Sequence, residues 1–196
     1  MVCRVQIRRK AAGMIQLSLK TLPIFSDSTP EQLALIIRNS TIINRSRGEF
    51  LFRRGDRVTH FYAICRGAMQ MFRETPHGYE ATSNILISGD SINADELVAC
   101  HAEHALNARA VTDCSLLEIS ISWMRENFNK LGNMASKLLA VLADRLGNAQ
   151  LEIEHHSTMS AAQIVGCYLQ KLWVLYSNDP RGFDLPYTKL LIASRL

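Results

Sequence analysis

Five glycines recur at short, nearly even intervals through residues 48–92, and this spacing constrains the fold more than any other feature of the chain. The runs between them, such as EFLF, HFYAI and AMQMF, are short and rich in residues that favour strands. Glycine readily adopts the positive φ of tight turns, and turn signals every eight to twelve residues or so are typical of a sandwich or barrel. We therefore predict a compact antiparallel β-domain over residues 41–119, with turns at Gly48, Gly55, Gly67, Gly78 and Gly89.

The periodicity becomes helical from Ser122 onward. A short helix is predicted up to Gly132 and a longer one over residues 134–155, where apolar residues recur at alternating intervals of three and four. This seam has two interpretations: the helix packs on its own β-domain, or it pairs with the same helix of a second copy. We prefer the second, with an interface formed by Leu139, Leu142, Leu146, Ala149 and Ile153.

Composition excludes several classes of protein. The sequence lacks the run of about 18 apolar residues that would suggest a membrane span. The basic start, MVCRVQIRRK, lacks the apolar stretch of a signal peptide, so we interpret residues 1–20 as an arm, with Met1 or Met14 as the start. The five cysteines form no CxxC pair, which favours reduced thiols and a cytoplasmic location. A formal charge of +4 is compatible with a polyanionic partner but does not require one.

Several longer stretches, in order, resemble a known family. They are RGEFLFRRGD (47–56), FYAICRGAMQMF (61–72), HGYEATSNILISGDSI (77–92) and ARAVTDCSLLEIS (108–120), followed by the long helix, SAAQIVGCYL and LPYTKLLIASRL. Together they resemble the cyclic-AMP receptor protein and fumarate-nitrate-reduction regulator (CRP/FNR) family of bacterial transcription factors.

The resemblance implies an α+β fold. Residues 21–121 would form an antiparallel β-roll, a double-stranded β-helix like that of cyclic nucleotide-binding domains, which senses an effector. Residues 122–158 would form a helical linker and dimerisation helix, and residues 159–196 an incomplete winged helix-turn-helix. The resemblance also implies a homodimeric, effector-responsive regulator that is not an enzyme, with a DNA operator and RNA polymerase as partners and no membrane association. A small molecule or a gas would be its effector.

The family's cyclic-nucleotide binders hold the phosphate with an Arg-Ser pair, because a guanidinium fork and a hydroxyl match its oxygens. Aligned on ARAV, those positions are His104 and Ala105, which cannot form the fork, so we expect cyclic AMP not to bind. The resemblance places the effector pocket at Asp95, Glu96, Leu97, His104 and Arg109, although Arg109 matches a different family arginine.

The segment CHAEH, residues 100–104, carries the other candidate site. Cys100, His101 and His104 offer ligands for haem or a metal in the part of the roll where relatives hold their effector. The alternative is a polar loop with incidental histidines. An iron–sulfur cluster is not expected, because only Cys3 lies near the N-terminus, where that branch of the family carries several cysteines.

The sequence ends within the first helix of the expected DNA-binding motif, where Thr188, Lys189 and Arg195 are the candidate DNA contacts. We expect the recognition helix to follow Leu196, and therefore a parent protein that continues beyond it. One alternative is a stand-alone ligand-binding or oligomerisation module. Another is a cupin-type metalloenzyme, which is less favoured because His101 and His104 do not have the spacing of ligands on one strand face.

Overall fold

A computed structural model describes residues 19–99, 101–176 and 188–195. The expected antiparallel β-domain is confirmed, and eight strands extend from Ser40 to Ser120. The strands are β1 Ser40–Arg45, β2 Phe50–Phe52, β3 His60–Arg66, β4 Ala68–Glu74, β5 Glu80–Ile87, β6 Ser91–Ile92, β7 Asn107–Ala110 and β8 Cys114–Ser120.

The strands form two four-stranded antiparallel sheets, with the order β1-β8-β3-β6 in the first and β2-β7-β4-β5 in the second. All five turn glycines have positive φ, as the sequence pattern predicts. The tightest constraint is at Gly67 between β3 and β4, where a Cβ atom would lie 2.5 Å from the carbonyl oxygen of Asp113. Any side chain there would push the hairpin away from β8, so the chain needs glycine for both its φ and its size.

Alternation along the central strands separates two apolar clusters. Tyr62 and Ile64 of β3 point into the roll, where they pack with residues of the second sheet such as Met69. Phe61 and Ala63 point the opposite way, into a cluster shared with the surrounding helices. One strand therefore contributes to both cores. A register slip of one residue would turn each of its side chains toward the opposite core.

The helices are α1 Pro30–Arg38, α2 Glu96–Ala99, α3 Ile121–Glu126, α4 Met134–Thr158, α5 Ala161–Tyr176 and α6 Lys189–Ala193. Short 3-10 turns lie at Pro23–Phe25 and Phe128–Lys130. Thr29 caps α1 with a reciprocal capping box to Gln32, which defines where that helix begins. Among the described helices, none combines the length and apolar character needed to cross a bilayer.

The helical part follows the sequence prediction closely. The long helix α4 continues three residues beyond its predicted end, to Thr158. The predicted short helix before Gly132 is divided into α3 and the second 3-10 turn. The predicted arm lies almost wholly outside the described residues, and so does part of the expected winged helix-turn-helix, which stays a prediction.

Candidate effector site

A cavity of about 960 Å³ lies between the roll, α4 and α5. Its walls include three of the five predicted effector residues, namely Asp95, Glu96 and His104. A smaller cavity of about 190 Å³ lies between α4 and α5 and contains none of them. The larger cavity is therefore the candidate effector site.

His104 is fixed in the cavity wall by its backbone and by one aromatic contact. Its amide donates to the carbonyl of Asp56, its carbonyl accepts from the amide of Gly55, and both distances are 2.9 Å. The imidazole stacks on the ring of Phe52, with the two planes 5° apart and the centroids 3.5 Å apart. Only 8% of the residue is exposed. Burial lowers the pKa of His104, and the carboxylates of Asp56 and Glu96 oppose this only in part, which favours the neutral ring.

Glu96 lines the same cavity but is already bonded to a neighbour. Its carboxylate accepts from the backbone amide of His101 at 3.0 Å and lies 2.9 Å from Nδ1 of the same residue. Arg125 of α3 donates to the backbone carbonyls of Glu96 and Leu97, which satisfies the C-terminal end of the short helix α2. The short helix α2 is therefore held by hydrogen bonds with His101 on one side and with Arg125 on the other.

Arg145 connects α4 to this wall and was not predicted as a site residue. Its Nη2 donates to the carbonyl of Ser91 at 2.9 Å and lies 3.2 Å from the Ser91 hydroxyl. Its Nη1 lies 3.8 Å from a carboxylate oxygen of Asp95. The only sequence signal for Arg145 is its place on α4, one full heptad after the buried Leu138. Arg145 therefore links the long helix to β6 and to the residue that precedes α2.

Arg109 and Leu97 lie elsewhere. Leu97 is buried in the cluster between the roll and the helices. Arg109 is not among the residues that line the cavity. Its guanidinium donates to both carboxylate oxygens of Glu80 and to the side-chain oxygen of Gln70 at 2.8 Å. It also lies 4.7 Å above the ring of Phe72, so Arg109 cross-links strands of the second sheet.

The structure gives the two histidines of the CHAEH segment different neighbours. His101 is paired with Glu96, whereas His104 is stacked on Phe52. Over the parts of the chain that the structure describes, no group of three histidine, cysteine or acidic side chains is placed to hold a metal ion. Cys100 and Cys3 lie outside the described residues. The haem or metal assignment stays a prediction from the sequence.

The seam of α4 divides into two sets of positions. Leu139, Leu146 and Ile153, which lie seven residues apart, are 67%, 62% and 68% exposed. Leu142, in contrast, is half-buried against the cluster between roll and helices, and Ala149 lines the candidate cavity. One side of the seam therefore packs on the chain's own domain, and the pairing of the other side with a second copy stays a prediction.

The C-terminal segment 188–195 contacts the roll and α4. The amide of Thr82 donates to the carbonyl of Ser194 at 2.9 Å, and the two hydroxyl oxygens are 2.6 Å apart. Arg195 forms an ion pair with Glu152 of α4. Thr188 and Lys189 are exposed. The assignment of Thr188, Lys189 and Arg195 as DNA contacts stays a prediction.

The architecture is the antiparallel roll of cyclic nucleotide-binding domains. A family model described as a cyclic nucleotide-binding domain matches residues 43–130. The sensor domain of the transcriptional regulator DNR from Pseudomonas aeruginosa has the same fold, with a TM-score of 0.64, 24% identity, and coverage of 74% of this chain and 97% of that one.

Two curated regulators extend the match along the sequence. The cyclic AMP receptor protein of Thermus thermophilus is 29% identical over 158 residues, which are 79% of this chain and 71% of that protein. The fumarate and nitrate reduction regulatory protein of Shigella dysenteriae is 24% identical over 162 residues, or 81% of this chain. The chain spans 63% of the length of that second relative. The family model and these two relatives support the CRP/FNR family for this chain.

Proposed function

We propose that the chain is the sensing and dimerising part of an effector-responsive, homodimeric transcription regulator. Its curated relatives are regulators, which also supports a role other than catalysis. The cavity supports the sensing part of the proposal, because it lies where the roll meets α4 and α5. A DNA operator and RNA polymerase would be the partners of the whole protein.

The proposed mechanism is a shift between two arrangements of the roll and α4. An effector in the cavity touches the wall formed by Ser91 and Asp95, which Arg145 holds against the long helix. Displacement of this contact would rotate α4 relative to the roll. In helix-turn-helix dimers the two half-sites lie roughly 34 Å apart, so a small rotation of a shared helix changes how both DNA-binding units fit.

The single observation that carries the proposal is the exposed stripe of α4, formed by Leu139, Leu146 and Ile153. Large aliphatic side chains repeating at seven-residue intervals on one face match the first position of a coiled-coil heptad. Such a stripe stabilises a dimer when it packs against its twin, because two apolar faces leave water together.

Oxidative cross-linking tests this geometry. Ile153→Cys should give a covalent dimer of twice 22.0 kDa, since equivalent positions face each other across a parallel two-helix interface. Leu151→Cys is the matched control, because residue 151 is also exposed but lines the smaller cavity between α4 and α5. Equal cross-linking of both variants and the unsubstituted chain would contradict the proposed interface.

A further inference from the structure

We propose that the effector is an uncharged or cationic amphipathic molecule with an aromatic or aliphatic body, and that the imidazole of His104 binds its polar group. This inference rests on the proposed sensing function and names the ligand class of the same cavity. Three independent features of the cavity carry it: the charge of the walls, the unmet hydrogen-bonding capacity of His104, and the apolar surface beside it.

The walls of the cavity are acidic. Four carboxylates and two guanidiniums line it, which gives a formal net charge of −2. Both guanidiniums are already paired, Arg145 with Asp95 and Arg195 with Glu152. An anionic ligand would meet like charges at the cavity wall, and the repulsion between them is strongest at short range. A cation or a neutral molecule would not meet this repulsion.

His104 supplies a hydrogen-bonding group directed at a ligand. The residue is 8% exposed and lines the cavity, and among the described residues no hydrogen bond engages either ring nitrogen. A buried polar group without a partner is unfavourable, so a ligand that supplies the partner gains affinity. The neutral ring that burial favours has one donor and one acceptor nitrogen, and therefore binds a hydroxyl or amide group, or an ammonium group through the acceptor nitrogen.

The remaining surface near His104 suits an apolar body. Phe52, which stacks on the imidazole, lines the cavity together with apolar residues of β4, of β5 and of the loop before β7. Small-molecule sites commonly combine such a surface with a few polar groups that orient the ligand. The apolar lining residues include Phe52, Met71, Ile85, Leu86, Ile87 and Leu106.

Three indole probes that differ only in their side chain test the inference. They are tryptamine, which is cationic, tryptophol, which is neutral, and indole-3-propionate, which is anionic. Saturation-transfer NMR should show binding of the first two, with the anion weaker by roughly tenfold or more because of the acidic walls. The ring ¹⁵N resonances of His104 should shift on binding in the unsubstituted protein, a readout that needs no variant.

His104→Leu should abolish binding of tryptamine and tryptophol, whereas His77→Leu, in the exposed turn between β4 and β5, should leave both unchanged. Equal or tighter binding of the anion, binding that His104→Leu retains, or no binding of any probe would overturn the inference. Light scattering on the same samples separates the two proposals. A dimer without the charge preference contradicts only the ligand class, while a monomer contradicts the proposed function.

Discussion

Two faces of α4 are apolar but have different surroundings. On one face, Met134 and Leu138 are each 2% exposed and belong to the core between the roll and the helices. On the other face, Leu139, Leu146 and Ile153 are more than half exposed. Apolar spacing alone therefore does not say which partner a helix face has, because similar spacings occur on a buried face and on an exposed one.

Leu138→Ala should have the largest effect. Removing a buried leucine side chain typically costs about 2–5 kcal/mol, whereas Leu139→Ala, one residue further along and 67% exposed, should cost much less in the isolated chain. Urea unfolding measured at a concentration that keeps the protein monomeric checks the difference. An equal loss of unfolding free energy in the two variants would contradict the difference in burial between the two sides of the helix.

Leu146→Glu should weaken the dimer by roughly 3 kcal/mol, or about a hundredfold in dissociation constant, because it buries an unpaired charge in the proposed interface. Leu151→Glu makes the same chemical change on the face directed at α5, about 140° away around the helix, and should leave the dimer intact. Sedimentation velocity over a concentration series measures both. A dimer unaffected by Leu146→Glu would refute the interface.

Arg145→Met probes the contact between α4 and the cavity wall. The variant retains an aliphatic stem but loses the bonds to Ser91 and Asp95, so about 1 kcal/mol of local stability should be lost. Hydrogen exchange at amides 91–97 should accelerate. Arg38→Met, an exposed position on α1, is the control. Unchanged exchange in Arg145→Met would show that this contact does not fasten the wall.

The smallest expected effect is a pH dependence from His104, across the cavity from the second half of α4. Its pKa lies below the ordinary value of about 6.5 in the folded chain, so the unfolded chain binds more protons as the pH falls toward and below that value. The free energy of unfolding should therefore rise as the pH increases from the lowered pKa of the folded state toward the ordinary value, and His104→Leu should flatten this slope. The control variant is His77→Leu. If His104→Leu leaves the slope unchanged, the pH dependence comes from another group.

The roll and the long helix could be predicted because both depend on local signals. Turn glycines such as Gly67 and the repeat of Leu139, Leu146 and Ile153 can be recognised without knowing which elements meet. The cavity wall contains His104 and Ala105, the positions aligned with the family's Arg-Ser pair, and an effector pocket there stays a prediction.

The remaining site contacts depend on strand register and on how segments far apart in the sequence pack together. Arg109 meets Glu80, 29 residues away, only because β7 pairs with β4 and β4 with β5. Arg145 reaches Ser91, 54 residues away, only because α4 packs across β6. Neither pair has a spacing or composition that distinguishes it in the sequence, so Arg109 was assigned to the effector pocket and Arg145 was missed.

The bond between Thr82 and Ser194 also bears on solubility. β5 lies at the edge of the second sheet, and an edge strand offers unpaired amides to strands of other molecules. The Ser194 carbonyl occupies one of those amides. A switch that swings the C-terminal segment away from the roll would uncover this edge, so the released state should be the one that aggregates at high concentration.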